Sequence, residues 1–421
     1  MLDIKFIREN PEKVKEGAQK KGINVNIDLL LKLDEKRRNL LKELESIRAQ
    51  KNKASKEIAK IKNEREKKKI ISKMKKIDER EGGLREKLKK LERDFNDLML
   101  QIPNLPLEKI PVGKNERDNV VLREVGQKPK FNFKPKNYLE ISEELDLIDV
   151  KRAAKISGTR FGYLKKEAVL LEFALINFTF DTLIKEGFTP IIPPVMMKKE
   201  MMRGMGYIEQ TDIEQAYYLP KDDLFLAGTA EQPLGTMHAE EVFKENDLPK
   251  RYLGFSTCFR REAGSYGRDT RGIFRVHQFD KIEMFSFCHP EKSRDEHNFF
   301  LSLEEKLTQL LKIPYRVVQM CTGDLGFPTA AKYDIEIWLP NERRYRETHS
   351  TSNCTDFQAR RLGVRYRNKS GKLNFVHTIN GTALAIGRIL IAIIENYQQK
   401  DGSIKVPKVL QKYIGFNEIK K

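Results

Sequence analysis

The chain has 421 residues, 80 Lys and Arg against 61 Asp and Glu, a formal net charge of +19 and a sequence pI near 9.5. At roughly 150 residues per domain this length predicts two or three domains. With 39% hydrophobic residues there is enough apolar material for a core, which excludes bulk disorder. No stretch approaches the roughly 20 uncharged apolar residues of a membrane span. The N-terminal MLDIKFIRENPEK has neither an apolar segment nor the acid-poor character of a targeting peptide. The four cysteines, Cys258, Cys288, Cys321 and Cys354, form no C-x-x-C pair. This argues against a zinc ribbon or a disulfide framework and for reduced thiols in a cytoplasmic protein. The positive excess predicts a polyanionic partner, most simply nucleic acid.

In chain order, Asn10-Pro11-Glu12 starts a short helix that Gly22 ends. Residues 31–100 then hold 24 Lys and Arg against 14 Asp and Glu, more than half of the net charge in a sixth of the chain. Apolar positions there step by three and four: Leu33, Leu40, Leu44, Ile47, Ala54, Ile58 and Ile61, then Ile70, Met74, Ile77, Leu84, Leu88, Leu91, Phe95 and Leu98. A 3.5-residue repeat held this long predicts a coiled coil. The register breaks over Lys62–Lys69, KNEREKKK, which reads as the tip of an antiparallel helical hairpin. Helices of about 35 residues give an arm of about 50 Å. Gly82 and Gly83 fall on its solvent side and weaken the second helix by about 1 kcal/mol each. The plain reading is a solvated coiled coil used only for dimerisation; the net positive sign favours instead an arm that contacts phosphates without reading bases.

Residues 101–137 hold five prolines and read as a linker, giving an N-terminal domain over 1–100 (arm about 28–100) and a body over 138–421. In the body, Tyr252–Phe259, Ile273–Phe287, Tyr315–Met320 and Ile335–Leu339 read as strands of a largely antiparallel sheet. Helices are expected at Lys165–Glu186, Pro290–Lys312 and Thr382–Gln398. The chain contains neither a G-x-G-x-x-G fingerprint after a strand nor a G-x-x-x-x-G-K-[ST] loop, so any nucleotide is held without a Rossmann or P-loop site.

Four segments carry the polar chemistry. In Cys258–Phe285 a hairpin gathers Arg260, Arg261, Arg268, Arg271 and Arg275, whose guanidinium forks match phosphates. There Glu262 can accept from an exocyclic amine, and Phe274 or Phe279 can stack on a planar base. In Arg346–Arg361, Glu347 and Ser350 are hard oxygen donors suited to Mg²⁺ on phosphates. A regular strand would aim those two to opposite faces, so a bulge is required. Thr378–Arg388, TINGTALAIGR, places Arg388 early in an apolar helix, and Gly228–Leu234, GTAEQPL, supplies a hydroxyl and a carboxylate. The six histidines form no H-x-x-x-H pair, which argues against a histidine metal site. His277 reads as a strand histidine, and His349 is left open between ligand contact and structure.

With these residues in hand, the chain resembles the bacterial-type seryl-tRNA synthetases, class II aminoacyl-tRNA synthetases, over essentially its whole length. Gly187–Met197 is similar to motif 1, Cys258–Phe285 to motif 2 and Asn380–Arg388 to motif 3. The implied fold is α+β: an N-terminal helical hairpin plus a catalytic domain on an antiparallel sheet flanked by helices. The implied reaction joins ATP and L-serine to seryl-adenylate, then moves serine to the 3′ end of tRNA(Ser), and of tRNA(Sec) as is usual in the family. Arg260 and Arg388 are then the catalytic arginines. Thr229, Ala230, Glu231, Arg260, Glu283, Asn380 and Thr382 would bind serine. Arg260, Arg261, Glu262, Arg275, Phe279, Glu347, Thr348, His349, Ser350 and Arg388 would bind ATP, with Mg²⁺ on Glu347 and Ser350. The resemblance also implies a homodimer through motif 1 and no membrane partner. Where the family usually has E-x-S-S, this chain has Glu347-Thr348-His349-Ser350, and Thr382 stands where many members have serine. The competing reading is a catalytically inactive paralogue that binds RNA or regulates.

Overall fold

The computed structural model describes residues 1–207, 214–263, 269 and 271–421. Of the arginines gathered on the motif 2 hairpin, Arg268 lies outside the described residues. Contacts divide the chain into two units: residues 2–19 with 23–103, and residues 104–421 with Met1 and Lys20–Gly22.

The first unit is helical. Helices α1 (Ile4–Glu9) and α2 (Pro11–Lys20) precede the long pair α3 (Ile27–Ile58) and α4 (Glu64–Leu100). Gly22 takes φ +71°, a left-handed turn open to glycine. Asn26 and Asn63 cap the long helices, each side chain accepting at 3.0 Å from Leu29 N and Arg65 N. The turn is therefore Ala59–Asn63, and most of KNEREKKK is the first turns of α4, not a loop. The cap at Asn63 and the acids Glu64 and Glu66 in the first turn explain the difference, because both favour a helix start. Leu44, Ile47 and Leu84 form the seam with Leu40, Ile77 and Leu88. A polar layer joins them: Lys51 bridges Asp78 at 2.6 Å and Glu81 at 2.8 Å. Lys51 and Arg85 hold the Glu81 carboxyl down at about 2. Gly82 and Gly83 are exposed with no neighbour that a side chain would meet.

The second unit is built on an eight-stranded sheet of β1 (Val120–Val125), β2 (Thr189–Ile191), β3 (Lys250–Phe259), β4 (Gln278–Cys288), β5 (Tyr315–Gln319), β6 (Ala331–Leu339), β7 (Arg344–Thr355) and β8 (His377–Ala385). The spatial order is β1-β5-β6-β7-β8-β4-β3-β2. All pairings are antiparallel except β2 with β3. Thus the segment 101–137, read as linker, contributes the edge strand β1.

Five helices position the site: α5 (Glu167–Leu183), α6 (Lys199–Met205), α7 (Glu231–Thr236), α8 (Ser293–Leu310) and α9 (Phe357–Leu362). A sixth, α10 (Ile386–Asn396), follows β8 directly. The core unites α5, α8 and α10 with one face of the sheet through Leu175, Phe178, Phe300, Leu307, Ile389 and Ile393. Each such side chain stabilises the fold by about 2 kcal/mol on burial.

Two expectations need correction. Ile273–His277 do not extend β4. His277 O accepts from Arg260 N at 2.9 Å and His277 N donates to Arg160 O at 3.0 Å, so the chain crosses between elements there. Residues 382–385 are strand rather than helix, because β8 stays paired with β4 as far as Ala385. The apolar run TALAI has no period that separates the two states. No helix among the described residues is long and apolar enough to cross a membrane.

Candidate active site

Period-two alternation on β4 turns Phe279, Lys281 and Glu283 to one face of the sheet. The β4–β8 register shifts between Ile282 and Glu283, which sets Thr382 opposite Glu283. On β7 the register against β6 shifts so that Ile335 faces His349 and Glu336 faces Glu347. Thr348 is thus the extra residue, and this is the bulge that Glu347 and Ser350 required.

A cavity of about 180 Å³ opens on this face, lined among others by Arg260, Glu262, Arg275, Phe279, Glu347 and Arg388. Arg275 Nη1 pairs with Glu262 at 2.9 Å. Glu262 itself holds φ +51°, an uncommon backbone state for a non-glycine residue, at the start of the motif 2 loop. Arg388 donates to Glu347 O at 2.9 Å and lies 3.4 Å from its carboxylate. Desolvation pushes Glu347 up, but Arg388, Lys332, Arg260 and Arg275 hold it below the ordinary carboxylate range. Two rings line the cavity: Arg346 and Arg388 lie over Phe274 at 3.8 and 4.9 Å, and Arg260 over Phe279 at 5.2 Å. Cationic forks and flat rings around one hollow suit a polyphosphate carrying a planar base.

A second hollow of about 330 Å³ shares Arg260, Glu262 and Arg275 with the first and reaches Tyr207 and Thr229. Behind the two hollows, where Lys281 and Thr382 line the first and Thr229 the second, the polar groups are buried. Lys281 Nζ lies 2.5 Å from Glu283, both under 10% exposed. Thr229 and Thr382 approach the same Glu283 oxygen at 3.4 and 3.5 Å. Glu231 accepts from Tyr207 on Oε2, and on Oε1 from Gln358 at 3.1 Å and Asn380 at 3.0 Å. Desolvation, with Glu283 nearby, raises Glu231 to about 7, opposed by Tyr207, Lys281 and Gln358. Gly254 on β3 lets α7 sit this close: a Cβ there would meet Leu234 at 2.8 Å and Ala230 at 3.3 Å. Ala230 is fully buried at the head of that helix. The arrangement can hold a small zwitterion that carries a hydroxyl.

Three residues sit less simply. Arg261 is exposed and lines neither hollow. His349 is buried opposite Ile335, its Nδ1 bonded to Thr348 Oγ1 at 2.8 Å. Burial lowers it to about 3, so it stays neutral. Ser350 faces Asp334 and hydrogen-bonds its carboxyl.

Residues 1–106 match the family described as seryl-tRNA synthetase N-terminal domain. Residues 217–397 match the tRNA synthetase class II core domain (G, H, P, S and T). A serine–tRNA ligase of Dictyoglomus thermophilum is 49% identical, covering 100% of this chain and 99% of that protein. The chain belongs to the seryl-tRNA synthetase family. Among solved structures, seryl-tRNA synthetase from Pyrococcus horikoshii complexed with ATP matches at TM-score 0.92 and 43% identity, over 100% of this chain and 99% of that one. Cytoplasmic serine–tRNA ligase from Naegleria fowleri in complex with AMP matches at 0.88 and 36%, with the same coverage.

For a seryl-tRNA synthetase, sequence reasoning passed over Lys281, Tyr207, Gln358 and Asp334. Lys281 was within reach, since it stands between Phe279 and Glu283 on one strand face. Tyr207, Gln358 and Asp334 meet the site only through long-range packing, and no local pattern marks them.

Proposed function

We infer that this chain activates L-serine with ATP, releasing pyrophosphate, and transfers serine from the adenylate to the 3′ end of tRNA(Ser), and also to that of tRNA(Sec). The observation that carries the reading is the pairing of two sites on one sheet face. A cationic, ring-lined hollow adjoins a buried subsite of Thr229, Glu231, Glu283, Asn380 and Thr382.

In the proposed mechanism Arg260, which lines both hollows, holds the α-phosphate and the serine carboxylate. A carboxylate oxygen attacks phosphorus in line and the bond to the β-phosphate breaks. Arg275 and Arg388 hold the departing phosphates, Glu262 accepts from the adenine amino group, and Phe279 stacks on the ring. No protein nucleophile takes part; positioning and charge neutralisation lower the barrier. Glu231 receives the serine ammonium, while Glu283 and Thr382 receive its hydroxyl. Alanine is rejected because it lacks the hydroxyl that donates to the buried Glu283 carboxylate.

Oxygen donors fit Mg²⁺ here. Glu347 is kept ionised, Ser350 offers a hydroxyl, and the buried Asp334 carboxylate stands behind it with Lys332 Nζ 3.4 Å from its Oδ1. Glu347 and Ser350 would hold Mg²⁺, which when bound neutralises phosphate charge.

The arm of α3 and α4 grips the tRNA backbone. The apolar motif 1 surface, with Ile192 82% and Met196 56% exposed, is the homodimer face. A cytoplasmic location completes the proposal and accords with four unpaired, buried cysteines.

The test is ATP–pyrophosphate exchange with each of the twenty amino acids, beside an Arg260→Ala control. The expected result is exchange with serine alone, lost in the control. Exchange with no amino acid, with tRNA binding intact, would instead support the inactive paralogue.

A further inference from the structure

Resting on the serine-activation reading, we propose that Tyr207 is a positioning residue for serine recognition: its hydroxyl orients the Glu231 carboxylate and leaves one acceptor site for the substrate ammonium. An ionised carboxylate offers about four lone-pair sites. On Glu231, Oε1 takes two donors, Gln358 Nε2 at 3.1 Å and Asn380 Nδ2 at 3.0 Å, and Oε2 takes the Tyr207 hydroxyl. Among the donors of the described residues, the remaining site is on Oε2. Gln358 is itself fixed, its Oε1 accepting from Thr378 at 2.6 Å. Glu231 is 4% exposed, so that last position is shielded from bulk solvent.

Tyr207 follows α6, and it lines the hollow that contains Thr229 and Arg260. Burial, together with Glu231, pushes its hydroxyl well above the ordinary tyrosine value, so it remains a donor. Among the described residues, the other ionisable groups around Glu231 are Glu283 and Lys281 on β4 and Cys354 on β7. Of these, Lys281 is already paired with Glu283 at 2.5 Å. Burial holds the Cys354 thiol protonated. Tyr207 thus favours the charged state that an ammonium requires, and it does so without itself carrying charge.

Glu231 titrates near 7 in the free protein, so serine binding is full above that pH and weakens below it. Removing the Tyr207 donor raises the Glu231 value and moves the weakening to higher pH.

The experiment measures KM for serine and for ATP in pyrophosphate exchange between pH 6 and 8.5, on the full chain and on Tyr207→Phe. The expected result is a serine KM raised about tenfold at neutral pH, an ATP KM unchanged, and a pH midpoint for serine shifted upward. A serine KM that is unchanged or lowered overturns the proposal, since the tyrosine would then be idle or plugging the site. Serine and ATP KM rising together at an unmoved midpoint also overturns it, as loss of packing. Should Tyr207→Phe fold poorly, Tyr207→3-fluorotyrosine decides: a more acidic phenol of nearly the same shape moves the midpoint downward, and an unmoved midpoint overturns the proposal. Absence of serine-dependent exchange in the unsubstituted chain would sink the serine-activation reading and this proposal together. A change confined to the variants bears on Tyr207 alone.

Discussion

Lys281 and Glu283 show how one strand residue can govern another's chemistry. Both are nearly inaccessible and lie 2.5 Å apart, so each charge depends on its partner for solvation. Lys281→Met is therefore expected to destabilise the protein by about 3 kcal/mol in denaturant unfolding, by stranding a buried carboxylate. Adding Glu283→Met should restore most of the stability and none of the serine activation, because the hydroxyl acceptor is gone. Recovery of exchange in the double variant would refute the role given to Glu283. At this scale the sequence was informative where chemistry is local. Arg260, Glu262, Arg275, Phe279 and Glu347 line one cavity and stand in short, recognisable runs. It was silent on Tyr207, whose partner Glu231 is 24 positions away, and on Gln358, 127 positions from the same carboxylate. Side-chain contacts at such separations leave no periodic trace.

At the scale of elements, two register shifts do most to shape the site. One sets Thr348 as the extra residue on β7, and the other brings Thr382 opposite Glu283. The first was required by the spacing of Glu347 and Ser350. The second was hidden, because an apolar run after Thr382 reads equally as helix or strand. The arm was legible from its heptads, while its turn was misplaced by a few residues because charge density resembles a loop and Asn63 caps a helix. The arm unit and the sheet unit hold separate cores. Deleting residues 31–100 is accordingly expected to leave serine-dependent pyrophosphate exchange within about threefold. The same deletion should reduce tRNA charging by about a hundredfold or more, because the arm's lysines and arginines no longer neutralise the tRNA backbone. Loss of exchange in the deletion would show that the arm is needed for the fold of the catalytic unit.

At the scale of the whole molecule, the +19 net charge is a statement about partners rather than about fold. If the arm covers about six phosphates, tRNA affinity should fall about a thousandfold between 50 and 200 mM salt, while the serine KM stays nearly constant. Filter binding beside exchange kinetics would check this, and equal salt sensitivity of both would place the tRNA contacts elsewhere. Composition and periodicity were enough for the coiled coil and the antiparallel sheet, because each depends on neighbours within a few residues, while the order of the motifs came from the family resemblance. The burial that raises Glu231, the donors that fix its orientation and the pairing of Lys281 with Glu283 depend on segments far apart in the chain. Those properties arise only when the sheet and its covering helices exclude water, since the strength of a charge in a site depends on what surrounds it.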